Sequence, residues 1–127
     1  MKADFLDRAG LWLLQSGIQD AGGGVARYYL ADKREYRAVS TEITGYGVST
    51  LAYLYSLTEN RPYLDAAARA ATFLTRTAWD SGLRLFPFEC TEAGPERLAY
   101  FFDTGIIIRG LLSPIPCKWR QAAETTS

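Results

Sequence analysis

The sequence predicts an all-α fold made of two repeated αα-hairpins. Three observations carry that expectation. Apolar residues recur at helical spacing in four separate stretches. The segments STEITGYG (40–47) and FFDTGIII (101–108) each place a carboxylate ahead of a Thr-Gly pair, with Gly45 and Gly105 sixty positions apart. At the same offset LLQSGIQDAGGGVARYY answers LTRTAWDSGLRLFPFE, Leu14 lying over Leu74 and Asp20 over Asp80. A recurring helix pair of about 60 residues is the mark of a helical-repeat protein.

The first helix rests on Phe5, Ala9, Trp12, Leu13 and Ser16, which share one amphipathic face. The second runs from Glu42 to about Leu57, with Ile43, Gly47, Thr50, Leu51 and Leu54 in phase. Ser40 or Thr41 is its N-cap, because a hydroxyl there can accept a free N–H of the first turn. The third has Pro62 in its first turn and continues through Tyr63, Ala67, Ala70, Leu74 and Thr77. The fourth spans Ala99 to Leu112 and stops at Pro114 and Pro116. The first and third helices carry charge on one face (Asp7 and Arg8, then Asp65, Arg69 and Arg76), whereas the second and fourth are apolar nearly all round and should be buried on most sides. Gly45, Gly47, Gly105 and Gly110 fit close helix–helix approach. The hairpins are therefore 5–58 and 62–113, in one domain of residues 1–113 followed by an irregular tail, 114–127. Long connections, 18–40 and 79–98, follow the charged helices, and VARYYL and LRLFPFE within them have strand-like composition.

Composition narrows the chemistry. A chain of 127 residues holds one domain, and 14 basic residues balance 14 acidic ones, so there is no nucleic-acid footprint. No long uncharged apolar run suggests a membrane span, and Asp4 and Asp7 interrupt what a signal peptide would keep uncharged; a cytoplasmic location follows as the expectation. Cys90 and Cys117 stand apart and read as free thiols rather than a metal site or a disulfide framework. Histidine is absent, which removes His-based triads and the commonest metal ligand. No metal or cofactor is expected, and acid–base work falls to carboxylates, Tyr, Lys or Cys.

Antiparallel hairpins bring the long loops and the starts of the second and fourth helices to one rim. Glu42 and Asp103 then lie together as candidate catalytic residues, one protonated and one ionised, with Tyr46 as a further candidate base. Spacing of about 5–10 Å would suit glycoside chemistry. Tyr28, Trp79 and Phe88 offer flat faces to sugar rings, and Arg27 and Arg84, one in each long loop, could bind an acidic sugar's carboxylate. Each has a structural alternative. Carboxylates near helix N-termini stabilise the helix dipole and cap N–H groups, loop aromatics seal helix ends, and arginines pair internally. AGGGVAR (21–27) lacks the Lys-Ser/Thr of a phosphate loop and reads as a helix cap and turn.

STEITGYGVSTLAYLY and FFDTGIIIRGLL give the chain a resemblance to the α/α-toroid superfamily, which includes six-hairpin glycosidases, polysaccharide lyases, glucuronyl epimerases and the squalene cyclase/prenyltransferase group. They look most like a bacterial subgroup with S-E-x-T-G-Y and F-D-T-G segments, often linked to surface-polysaccharide genes. The resemblance covers roughly residues 8–113 and implies a partial (α/α) toroid, about a third of a six-hairpin ring; PIPCKWRQAAETTS departs from the helix expected next. It implies a carbohydrate-related protein that hydrolyses, eliminates or epimerises a uronate-containing polysaccharide. The alternative is a non-catalytic carbohydrate-binding or assembly module, a truncated and inactive toroid fragment. Isoprenoid chemistry lacks its D-x-D-D run. The implied partners are an oligosaccharide or polysaccharide, and either copies of the same chain or the missing remainder of the ring.

Overall fold

Ser40 sets the start of the longest helix. Its backbone is extended, and its hydroxyl accepts the Ile43 N–H at 3.2 Å, giving a first-turn donor the partner the helix itself cannot supply. Thr41, the other candidate cap, turns away and donates its hydroxyl to the Pro87 carbonyl at 2.7 Å. Replacing Ser40 by Ala should cost about 1 kcal/mol in urea unfolding. Thr41→Ala would instead orphan the loop carbonyl.

The computed structural model describes residues 2–90 and 98–113. Its helices are α1 (Lys2–Gln15), α2 (Thr41–Thr58), α3 (Arg61–Thr72) and α4 (Phe101–Leu111). Glu59, in the left-handed conformation at φ 56°, ends α2, and Pro62 opens α3 within its first two positions. Beyond Thr72 the third helix widens into a π-helical segment, Phe73–Ala78, in which the Trp79 N–H reaches back five residues to Leu74.

The all-α expectation is overturned. The structure is mixed α/β, because both long connections fold on themselves and on each other. Strands β1 (Tyr29–Leu30) and β2 (Glu35–Tyr36) form one antiparallel pair; β3 (Val39–Ser40) and β4 (Glu89–Cys90) form another, with Ser40 opposite Glu89. Isolated bridges join Gln19 to Val25, Ala26 to Val39 and Asp80 to Leu85. The cause is backbone accounting. Val25, Ala26 and Ser40 are buried, where unpaired N–H and C=O groups are costly, and residues of this aromatic and β-branched composition meet that need in extended pairs. Asp20 and Asp80 each open a loop by accepting backbone N–H groups two to four residues on. Gly23, at φ 97°, has no room for a Cβ beside the Arg69 carbonyl, which gives the glycine run a conformational and packing purpose.

Packing centres on α2, whose closest neighbours are α3 and α4. Leu51, Leu54, Tyr55, Tyr63 and Leu64 form a core at the α2–α3 turn, with Leu13 and Leu14 of α1 against it. Val48, Phe73, Leu74, Phe86 and Ile107 form a second core between α2, the π-helical segment and α4. Helices α2 and α4 run parallel: Gly45 touches the Ile106–Ile107 backbone, and Ser49 lies opposite Ser113. Both N-termini thus reach the same end. The fourth helix is not buried on most sides, however; Phe101 is 96% exposed and Leu112 77%. The expected tail, 114–127, lies outside the described residues, as do Pro114, Pro116 and Cys117. No helix among the described residues is long and apolar enough to cross a membrane.

Candidate functional site

Thr44 shows how the loops are held over the helix ends. Its hydroxyl donates to the Ser40 carbonyl at 2.7 Å and accepts the Val25 N–H at 2.9 Å. Val25 in turn accepts from the Ser40 N–H, and Arg27 donates its backbone N–H to Ala38. The second connection is fixed from the other side: the Thr41 N–H and hydroxyl both reach the Phe88 carbonyl, and β4 pairs with β3. These bonds place Arg27, Phe88 and Glu89 beside the first turns of α2 and α4.

There Arg27 bonds Glu89 at 2.8 Å, with its guanidinium 4.7 Å from the centre of the Phe88 ring. The Phe88 ring meets Tyr100 edge-on at 5.3 Å. Glu42 projects from the first turn of α2 and Asp103 from the first turn of α4. Glu42 is half-buried, whereas Asp103 is 5% exposed. Burial raises the pKa of Asp103 above the ordinary carboxylate range, against the pull of Arg27. Burial also raises that of Glu42, the negative charge of Asp103 adds to the rise, and Arg27 opposes it. The two carboxylates and Arg27 therefore form one electrostatic unit.

Both carboxylates lie in the first turn of their helices, where a negative charge favours the helix dipole, but neither acts as an N–H cap. Ser40 caps α2, Tyr100 at the head of α4 makes no side-chain cap, and neither carboxylate accepts an N–H of its own helix among the described residues. Asp103 Oδ2 is buried without a hydrogen-bond partner there. A polar atom so placed is rare enough to require an explanation.

Two of the sequence-derived candidates, Tyr46 and Trp79, line other cavities. Tyr46, one turn beyond Glu42, lines an apolar recess of about 180 Å³ with Leu13, Ile18, Val25 and Gly47. Trp79 packs on Phe86 at 4.9 Å and borders an open cleft of about 430 Å³ with Asp80, Pro87 and Cys90, which neither Glu42 nor Asp103 lines. Arg84 sits exposed on the 81–84 turn at φ 55°, and Tyr28 lies exposed just ahead of β1. The Cys90 thiol is half-buried and its pKa is pushed up by burial, the opposite of an activated nucleophile. Sequence reading missed Glu89 and Tyr100. The alternation in FPFEC hints that Phe88 and Glu89 flank a strand, but only the pairing with Ser40 brings them to α2. Among the described residues no group of three or more Asp, Glu or Cys is placed to hold a metal ion.

Comparison with known proteins leaves this geometry to speak for itself: no protein-family model, curated protein or solved structure matches the chain.

Proposed function

We propose that the seam between the N-termini of α2 and α4 is an acid–base site for a uronate-containing carbohydrate, with Glu42 and Asp103 dividing the roles of protonated acid and ionised base. The observation that carries this reading is the buried, unpartnered Oδ2 of Asp103 next to a second carboxylate with a raised pKa. Two neighbouring carboxyls divide into acid and base because the charge of the one that ionises first holds the proton on the other, as the Asp103 charge does for Glu42. Arg27 favours the ionised form of both carboxyls. Glu89 takes one of the five guanidinium donors, leaving others for a sugar carboxylate. Tyr100, 47% exposed, is the aromatic face that a sugar ring could meet. The resemblance of STEITGYG and FFDTGIII to polysaccharide-active proteins agrees with this chemistry.

The test is incubation with defined uronate oligosaccharides, followed by mass spectrometry and proton NMR. Products heavier by one water mean hydrolysis, a split at unchanged total mass means elimination, and altered ring signals at unchanged mass mean epimerisation. Glu42→Gln should lower turnover by about 10²–10⁴-fold, the usual contribution of a positioned acid or base. Binding without turnover in the wild-type chain would favour the second reading, a non-catalytic module. No binding to any acidic glycan would remove the carbohydrate reading altogether.

A further inference from the structure

One helix–helix interface inside the chain has both of its faces duplicated on the surface. On α2 the stripe Thr41–Gly45–Val48–Ala52 is buried, with Gly45 against the Ile107 backbone and Val48 in the same cluster as Ile107. Sixty positions on, α4 carries Phe101–Gly105–Ile108–Leu112 at the same helical spacing, and all four are exposed. A Cβ built on Gly105 meets nothing within 4 Å, whereas one on Gly45 would press on Ile107.

The opposite side is duplicated too. On α4, Ile107 and Gly110 receive α2. Their counterparts on α2, Gly47 and Thr50, line the open apolar recess with Leu13, Ile18 and Val25. The α4 half of the seam thus recurs uncovered, and the α2 half recurs partly covered, with Thr50 exposed and Gly47 against the Val25 side chain.

We infer that the chain associates head to tail with a second copy of itself, the Phe101–Gly105–Ile108–Leu112 stripe of one copy seating on the Gly47–Thr50 face of the next. A second copy is the occupant because both surfaces belong to this chain and continue an interface it already makes, with Gly105 in the place of Gly45. The contact joins two different surfaces, so it propagates to a ring or a filament rather than closing as a two-fold dimer. Apolar stripes of this extent are otherwise rare on a free surface. This inference is independent of the carbohydrate reading, and its test does not involve a glycan.

Sedimentation velocity of the full chain over a concentration series should show mass growing with concentration. Gly105→Glu and Thr50→Glu each change an exposed residue, so each should keep the wild-type circular dichroism spectrum and melt cooperatively. Either variant alone should sediment as a single chain. Mixed, the two should form a one-to-one dimer, because one retains an intact α2 face and the other an intact α4 stripe. Three results would overturn the inference: a wild-type chain that is monomeric at every concentration, as when its own residues beyond 113 cover the stripe; variants that still associate; or a mixture that stays monomeric.

Discussion

Gly110→Val should destabilise the chain by about 3 kcal/mol and lower its melting temperature by on the order of 10 °C. A Cβ on Gly110 would lie 2.5 Å from the carbonyl oxygen of Gly45, in the backbone of the neighbouring helix. No rotamer relieves that contact. One helix must move away from the other, and the cluster of Val48, Phe73, Leu74 and Ile107 opens with it. Gly105→Ala is the control. It replaces the glycine of the same helix where nothing lies within 4 Å, so it should stabilise by about 0.5–1 kcal/mol through helix propensity alone. Thermal and urea unfolding of the two variants, at a concentration where both are monomeric, should give opposite signs. Equal behaviour would mean that α2 and α4 do not approach at these glycines.

That contrast bears on what the sequence could convey. Helix positions followed from local chemistry: a hydroxyl at 40, a proline at 62 and runs of apolar residues in phase. The close approach of α2 and α4 was legible in Gly45 and Gly110, since a glycine in an apolar helix costs stability unless a neighbour needs the space, but the same reading fails for Gly105, which meets nothing within 4 Å, and for Gly47, which faces the loop residue Val25 rather than a helix. The strand-like composition of VARYYL was legible, and β1 lies in it, but the joining of the two long connections through β3 and β4 was not. Strands of two residues are too short to show alternation, and the pairing of β3 with β4 depends on contacts between residues about fifty positions apart, such as Ser40 with Glu89. The exposure of α4 was hidden because an all-round apolar pattern looks the same whether a helix is covered by its own chain or by another.

The candidate site divides along the same line. Glu42, Asp103, Arg27 and Phe88 were identifiable as residues of one rim, because parallel helix starts and two loops must meet there. Tyr46, Trp79, Tyr28 and Arg84 were grouped with them by proximity to the rim; Tyr46 lines the apolar recess and Trp79 the open cleft, and neither cavity is lined by Glu42 or Asp103. The apparent repetition of carboxylate-Thr-Gly also misleads. Glu42 stands three positions ahead of Gly45, and Asp103 two ahead of Gly105. The two acids are not equivalent members of a repeat. They meet because different faces of α2 and α4 form the seam, which makes one pair rather than two half-sites.

Asp103→Asn should stabilise the chain near neutral pH while abolishing any turnover. In the native state Asp103 holds its proton to higher pH than it does unfolded, because burial disfavours the charge. Between the unfolded and the raised native pKa the native chain binds more protons, so its stability falls as pH rises through that window. The loss begins in the ordinary carboxylate range and is complete above the raised native value. Glu42 acts in the same direction, partly through the charge of Asp103. Removing that charge deletes one contribution and reduces the other. The loss of attraction between Asp103 and Arg27 works against the gain, and the amide leaves polar atoms in the same dry position. A net gain above the window is therefore expected, because the amide, unlike the carboxylate, carries no charge to desolvate. Below the window, where the wild-type acid is already neutral, the variant and the wild type should converge. Urea midpoints measured from acid to neutral pH would display this as two curves that meet at low pH and separate as pH rises. A capping or ion-paired aspartate predicts the reverse: a wild type that gains stability with rising pH and a variant that is weaker at neutrality. That outcome would remove the raised pKa of Asp103, and with it the coupled carboxyl pair on which the proposed chemistry rests.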